Sequence, residues 1–434
     1  MTLPRLNVDS LPGPESIARR AFPNGTIGLA YENFSSPSVV IHGWLWAGSV
    51  DEPPEHAGLA ALTASLLTRG TERRTFAQLS EEVESVGAAL NFASSGHTTR
   101  FTVKCLVEDL PLLMDILTDC LFHPTFPDRY VERRRGEVLT AIEQRQHNTE
   151  AVASLRFGEE MYGDHPYGRS QLGYRETIEQ LARDDVDAFY RAHFCAQGMA
   201  ATIVGAVAAQ AGLDVLQDAL GEWQGAQPNR APLPPVRPID APRRAFTPIP
   251  GKTQSDILLG WVGLTRRDPD FLHAYLANCV LGQFGMMGRL GQRVREEAGL
   301  AYYCYSNLEA GIGPGPWAVI AGVAPEDVDS AVEAITDEVA RLRHEPVGEE
   351  ELADNKAYIV DSLPLRLEGN EGIAAQIVNM ELFQLGFDYL QRFPALLGAI
   401  STEDVRAVAE RLTDPQAFVL SVAGPEAKQE SSHV

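Results

Sequence analysis

Val39-Val40-Ile41-His42-Gly43-Trp44 and Ile257-Leu258-Leu259-Gly260-Trp261 are two versions of one phrase, an apolar run that closes on Gly-Trp. Gly43 and Gly260 are 217 positions apart. Other short matches repeat at nearly the same distance. Val107-Glu108-Asp109-Leu110 returns as Val323 followed by Glu326, Asp327 and Val328, with Asp109 and Asp327 separated by 218. Asp185-Val186 opens a helical pattern that reaches Phe189, and Asp404-Val405, 219 positions on, opens another that reaches Val408. Three matches in one order at a nearly constant offset indicate a duplication, and two copies of about 217 residues fill the 434 of the chain.

The join falls where a duplication requires it. Eight prolines between Gln227 and Pro250 (Pro228, Pro232, Pro234, Pro235, Pro238, Pro242, Pro248, Pro250) suit an extended connection. The expected organisation is therefore an N-terminal domain over 1–226, a linker over 227–250 and a C-terminal domain over 251–434. Within a copy, Phe101, Val103, Cys105 and Val107 alternate as a half-buried strand does. Phe76, Leu79, Val83 and Val86 keep helical spacing, as do Leu113, Ile116, Leu117 and Cys120. Gly311-Ile312-Gly313-Pro314-Gly315-Pro316 reads as a turn before a strand over Trp317 to Val323. The expected fold class is α+β: two tandem homologous domains, each an antiparallel or mixed sheet with helices packed on one face.

Composition narrows the function. A formal charge of −23 argues against a nucleic-acid partner, because phosphates are neutralised by clustered Lys and Arg. The five cysteines (Cys105, Cys120, Cys195, Cys279, Cys304) form no CxxC pair, so neither a disulfide framework nor a thiolate zinc site is expected, only buried thiols in a reducing compartment. The first twenty residues lack a charged head followed by an apolar core, and the longest apolar run, Met199 to Leu213, is short of a membrane span. The expected compartment is the cytoplasm, with no membrane partner.

Two stretches hold candidate chemistry. Gly58 to Thr71 reads by itself as an apolar helix ended by Gly70. In Arg289 to Tyr303, Arg295 lies near a helix end marked by Gly299, and Tyr302 opens a strand-like run seven residues later. On spacing alone, Arg295 pairs with a surface Glu and Tyr302 packs in a core. Gly282, Gly285 and Gly288 lack a following GK[ST] and read as turn residues rather than a phosphate loop. Neither HExxH nor HxxEH occurs. His147 and Glu150, one helical turn apart, supply only two ligands, and His165 reads as a structural loop residue.

Taken together, the Gly58–Thr71 helix, MYGDHPYG (161–168), LGYRETIEQLARDDVDAFYRAHF (172–194) and RLGQRVREEAGLAYYCYS (289–306) resemble the insulinase/pitrilysin-type zinc peptidases. The half-size members, which include mitochondrial processing peptidase and its bacterial relatives, are the most similar in layout, and the resemblance covers roughly 15 to 424. It implies an inverted H-x-x-E-H zinc motif in the first helix and a third ligand, a Glu, in a later V-L-x-E-I-like stretch. Those positions fall on Ala61, Ala64, Ser65 and Ala141. Three methyl groups and one hydroxyl do not hold zinc, so no cofactor is expected in this chain and zinc is expected in a partner. The resemblance also implies that Arg295 and Tyr302 hold a substrate carbonyl near the zinc. The resulting expectation is the zinc-less subunit of a heterodimeric zinc metallopeptidase, inactive alone. It would pair with a similar-sized zinc-bearing subunit, and its peptide substrate would add to a sheet edge. The rival expectation is a peptide-binding or scaffold pseudo-peptidase, possibly a homodimer; a different metal site built from scattered histidines is a third.

Overall fold

The computed structural model describes residues 6–224, 230, 232–283 and 288–426. It contains two sheets. The first comprises β1 (Ile17–Ala21), β2 (Ile27–Glu32), β3 (Ser38–Leu45), β4 (Ala89–Ser94), β5 (Thr99–Leu106) and β6 (Ala200–Gly205), in the order β1-β2-β6-β3-β5-β4. The second comprises β7 (Arg243–Pro248), β8 (Ser255–Val262), β9 (Ala301–Ala310), β10 (Pro314–Val323) and β11 (Val419–Gly424), in the order β7-β11-β8-β10-β9.

Apart from the extra β1, the two orders are one order. β2 and β6 are parallel, as are β7 and β11, and the remaining neighbours in both sheets are antiparallel. Register agrees as well. Gly43 lies opposite Phe101 and Ala201, and Gly260 lies opposite Ala318 and Val419. Both glycines are required by close approach. A Cβ at Gly43 would lie 2.1 Å from the Phe101 ring, and one at Gly260 would lie 2.5 Å from the Trp317 carbonyl oxygen. The duplication therefore extends to the shared need for a missing side chain at the same point of the central strand.

The two copies do not fold as two consecutive pieces. One compact unit is made of Met1–Ile142, Arg169–Leu233 and Asp361–Phe393; the other of Glu143–Gly168, Pro234–Val360 and Pro394–Val434. The division expected at 227–250 separates the two sheets but not the two units, because each half lends one helix to the other half's sheet. The helix Thr149–Tyr162 places Ala153, Phe157 and Met161 on Leu258, Ala318, Ile320 and Val419 of the second sheet. The helix Asn370–Leu382 places Val378 and Leu382 on Trp44 and Ala200 of the first. Apolar burial at about 25 cal/mol/Å² is indifferent to chain order, so a linear cut misses such an exchange.

The opposite face of each sheet carries its own half's helices. In the first unit, Leu59–Leu66, Leu110–Phe122, Arg183–His193 and Ala209–Leu220 pack on Val39, Ile41, Phe101, Val103 and Ile203. Two sequence boundaries shift. β7 occupies part of the stretch expected as linker, since Pro242 and Pro248 bracket an edge strand, where proline is tolerated. β10 starts at Pro314, so the turn is confined to Gly311–Gly313. The linker positions 227–229 and 231 lie outside the described residues, as does Gly285. No helix among the described residues is long and apolar enough to cross a membrane.

Candidate functional site

Two regions carry the candidate residues, one in each unit. In the first unit, the helix Leu59–Leu66 begins after Gly58, whose φ of +98° suits only a residue without Cβ. Its opening N–H groups are taken by a buried carboxylate: Glu52 accepts from Gly58 N at 3.2 Å and Ala60 N at 2.9 Å. Burial pushes the Glu52 carboxyl up to about 7, against the pull of those N–H groups and of Arg169.

Along this helix Ala64 is 2% exposed, while Ala61 and Ser65 are half-buried. Ser65 Oγ donates to the Leu62 carbonyl at 2.7 Å and accepts from Arg134 Nε at 3.1 Å. Arg134 belongs to the helix Asp128–Gln146, which also carries Ala141. The Ser65–Arg134 bond thus joins the two helices that carry the four positions expected, from the resemblance, to match the zinc motif. These four positions do not fit a zinc ion. Ala61, Ala64 and Ala141 have no donor atom, and the Ser65 hydroxyl is already engaged by a carbonyl and a guanidinium. Among the described residues, no three His, Cys, Asp or Glu side chains gather to hold a metal.

The histidines have other partners. His165 is 7% exposed; its Nε2 lies 2.9 Å from the Pro234 carbonyl and its Nδ1 accepts from Tyr167 N at 3.1 Å. Both ring nitrogens thus serve the main chain. Glu150 hydrogen-bonds Tyr305, and His147 Nε2 lies 3.9 Å from Glu143.

In the second unit, Arg295 lies near the end of a helix, as expected, and that helix is a π-helix, Gly291–Glu297. Buried Leu290 and Val294 hold this segment down, and Arg289 forks onto Glu351 at 2.7 and 2.6 Å. Arg295 itself has a 40% exposed side chain, with Nε 3.8 Å from Glu296. That contact is the surface pairing expected from spacing, at a length that fixes little.

Tyr302 follows in β9, the edge strand. Tyr303 faces Gly322 of β10 while Ala301 faces Val323, which leaves Tyr302 as the extra residue of a β-bulge. It is 63% exposed, so the expectation that it packs in a core fails. No hydrogen bond joins Arg295 and Tyr302 among the described residues. The π-helix packs against β9, so two irregular backbone segments in contact present the two side chains. Both π-turns and bulges re-aim side chains and concentrate at functional sites. Neither is legible in the sequence. Arg134 carries a partial signal, since it precedes Ala141 by seven residues, two helical turns, but its place in an Arg-Arg-Arg run does not single it out.

A cavity of about 990 Å³ in the first unit, lined in part by Leu110, Met114, Phe122 and Trp223, includes none of these residues.

Comparison with known proteins agrees with this layout. The sequence model for Insulinase (Peptidase family M16) matches residues 29–174, and that for the Peptidase M16 inactive domain matches 180–359. An uncharacterised zinc protease of Streptomyces coelicolor is 28% identical over 432 residues, covering 97% of this chain and 92% of its own. A probable mitochondrial-processing peptidase subunit beta of Arabidopsis thaliana is 23% identical over 421 residues, covering 93% and 77%. Among solved structures, a peptidase M16 inactive domain from Pseudomonas fluorescens superposes with a TM-score of 0.89 at 22% identity, covering 95% of this chain and 98% of that one. A protease from Helicobacter pylori gives 0.89 at 16% identity, covering 96% and 100%. Two sequence models of one family span most of its length and the duplicated sheet agrees with them: the chain belongs to the insulinase (M16) family of peptidases.

Proposed function

We propose that this chain is the non-catalytic subunit of a two-chain zinc metallopeptidase, and that it lends Arg295 and Tyr302 to a peptide held at its partner's zinc. The observation that carries the reading is the contrast between the two regions. The four zinc positions lack a ligand set, whereas a half-buried Arg295 and an exposed Tyr302 stand on a π-helix and a β-bulge. Arg295 is suited to a developing oxyanion because its fork stays charged and donates in plane, and the Tyr302 hydroxyl adds a neutral donor. Support for an assembly comes from a relative named as a subunit, the beta chain of a processing peptidase. The partner would be a similar-sized chain bearing zinc, and the compartment is the cytoplasm in this reading. The peptide would add to a sheet edge, where main-chain hydrogen bonds bind it whatever its sequence.

The test is to purify the tagged chain together with its native partner and assay peptide hydrolysis by the complex and by each chain alone. Activity confined to the complex and abolished by a chelator supports the proposal. The rival reading, a peptide-binding or scaffold pseudo-peptidase that self-associates, predicts a homodimer that binds peptides without any zinc-bearing companion and without hydrolysis.

A further inference from the structure

We propose that Arg134 has taken the place of the metal: its guanidinium is the resident cation of the degenerate centre, and it excludes zinc even when the ligands are restored. The Ser65 contact fixes which face of the helix Asp128–Gln146 Arg134 occupies. Ala141 follows by seven residues, a displacement of about 10 Å that returns to the same face. The cation therefore touches the position of the second histidine, on the helix face that also carries the position of the third ligand two turns on.

Its neighbours hold it there. Arg134 Nη1 pairs with Glu137 at 3.0 Å, and Glu137 also accepts from Arg133 Nε at 3.0 Å. Glu132 is taken by Arg135 at 2.5 Å. Three arginines against two glutamates leave this stretch of helix with a net positive charge, and both carboxylates are already bound by guanidinium groups. A zinc site needs the opposite balance. Unlike a lysine, an arginine cannot escape by losing its proton, so the repulsion of a divalent ion persists at every accessible pH.

The experiment uses the full isolated chain and zinc alone. Titration calorimetry compares the ligand-restored variant (A61H, A64E, S65H, A141E) with the same variant carrying Arg134→Gln. The account expects no stoichiometric zinc in the first and one zinc per chain in the second. The affinities should differ by about 100-fold or more, the size of a charge repulsion at a few Å in a partly solvated site. Arg134→Lys in the same background should stay close to the first variant at pH 7 and bind zinc more tightly as the pH rises toward the lysine range, which separates charge from shape.

Ala64 is 2% exposed, so a glutamate there could prevent folding. A second pair, A61H/S65H with and without Arg134→Gln, avoids that position. Ala61 and Ser65 are half-buried, so imidazoles one turn apart have room, and Ni²⁺ is the probe. Binding at least ~10-fold tighter without Arg134 supports the proposal. Equal affinity with and without Arg134, tight zinc in the ligand-restored chain that retains it, or no metal in any variant would each overturn it. None of these results depends on a partner, so the proposal stands or falls apart from the heterodimer reading.

Discussion

The helix pair around Ser65 and the turn around Arg295 come from two copies of one sheet, and they have been built in opposite ways. Around Ser65 the backbone is regular helix and the side chains are short or satisfied: methyl groups at three positions, a hydroxyl bonded on both sides, and Glu52 on the helix end. Around Arg295 the backbone is irregular, and the side chains are long, half-buried or exposed, and barely held. Irregular backbone persists only where its surroundings over-determine it. Here buried Leu290 and Val294 and the Arg289–Glu351 fork do so. The difference teaches that the first region is held by its side chains, while in the second the buried anchors lie beside two side chains that the proposed function puts to use.

The largest expected effect separates the regions by function. In the assembled peptidase, Arg295→Ala or Tyr302→Phe should lower kcat by ~10²–10³-fold, the loss typical of one preorganised oxyanion donor. The same complex carrying Ala61→Ser should keep its rate. Rates within about twofold of wild type for both substitutions of the pair would erase the contrast.

Glu52 comes next. Its folded value, about 7, lies above the ordinary 4.5, so the folded chain binds the proton more tightly than the unfolded chain does. That contribution is complete below pH 4.5 and is lost as pH rises through about 7, so it makes the fold less stable at neutral pH than in mild acid. Relative to Glu52→Gln, which cannot titrate, wild type should lose up to about 3 kcal/mol over this interval. Urea melts of both chains at pH 4.5, 6 and 8 measure it; parallel pH profiles for the two chains would contradict it.

The matched glycines sharpen the comparison of the copies themselves. Gly260→Ala and Gly43→Ala should each destabilise by about 1–3 kcal/mol, as overpacking does. Gly260→Ala should cost more, because its new Cβ meets a main-chain oxygen, whereas at Gly43 it meets a ring that can tilt. The reverse order in denaturant melts would show that the two sheets do not answer to one packing rule. Smallest of all, Arg295→Ala should change the stability of the isolated chain by less than about 1 kcal/mol, since its one ion pair is long and exposed.

Much of the fold was legible because repetition is. The Gly-Trp phrase placed the central strand of each sheet and the constant offset carried through to register, as Gly43 and Gly260 show. The exchange of the helices Thr149–Tyr162 and Asn370–Leu382 was not legible, because an apolar stripe does not state which of two like sheets it will cover. At the site, the four zinc-motif positions and the Arg/Tyr pair are expectations from resemblance. Spacing alone misjudged Tyr302 as core, since alternation along a strand does not reveal that an inserted residue turns the ring outward. Arg134 went unnoticed because an Arg-Arg-Arg run at 133–135 reads as a solvated face, and only the fold shows which of the three meets Ser65.

The division of labour between a chain that lends side chains and a chain that holds metal is tested most directly by counting zinc. Elemental analysis of the isolated chain and of the peptidase purified with its partner should give no stoichiometric zinc in the first and one zinc per pair of chains in the second. One tightly held zinc per isolated chain, or a purified assembly that hydrolyses peptides with no zinc in the partner, would contradict the account.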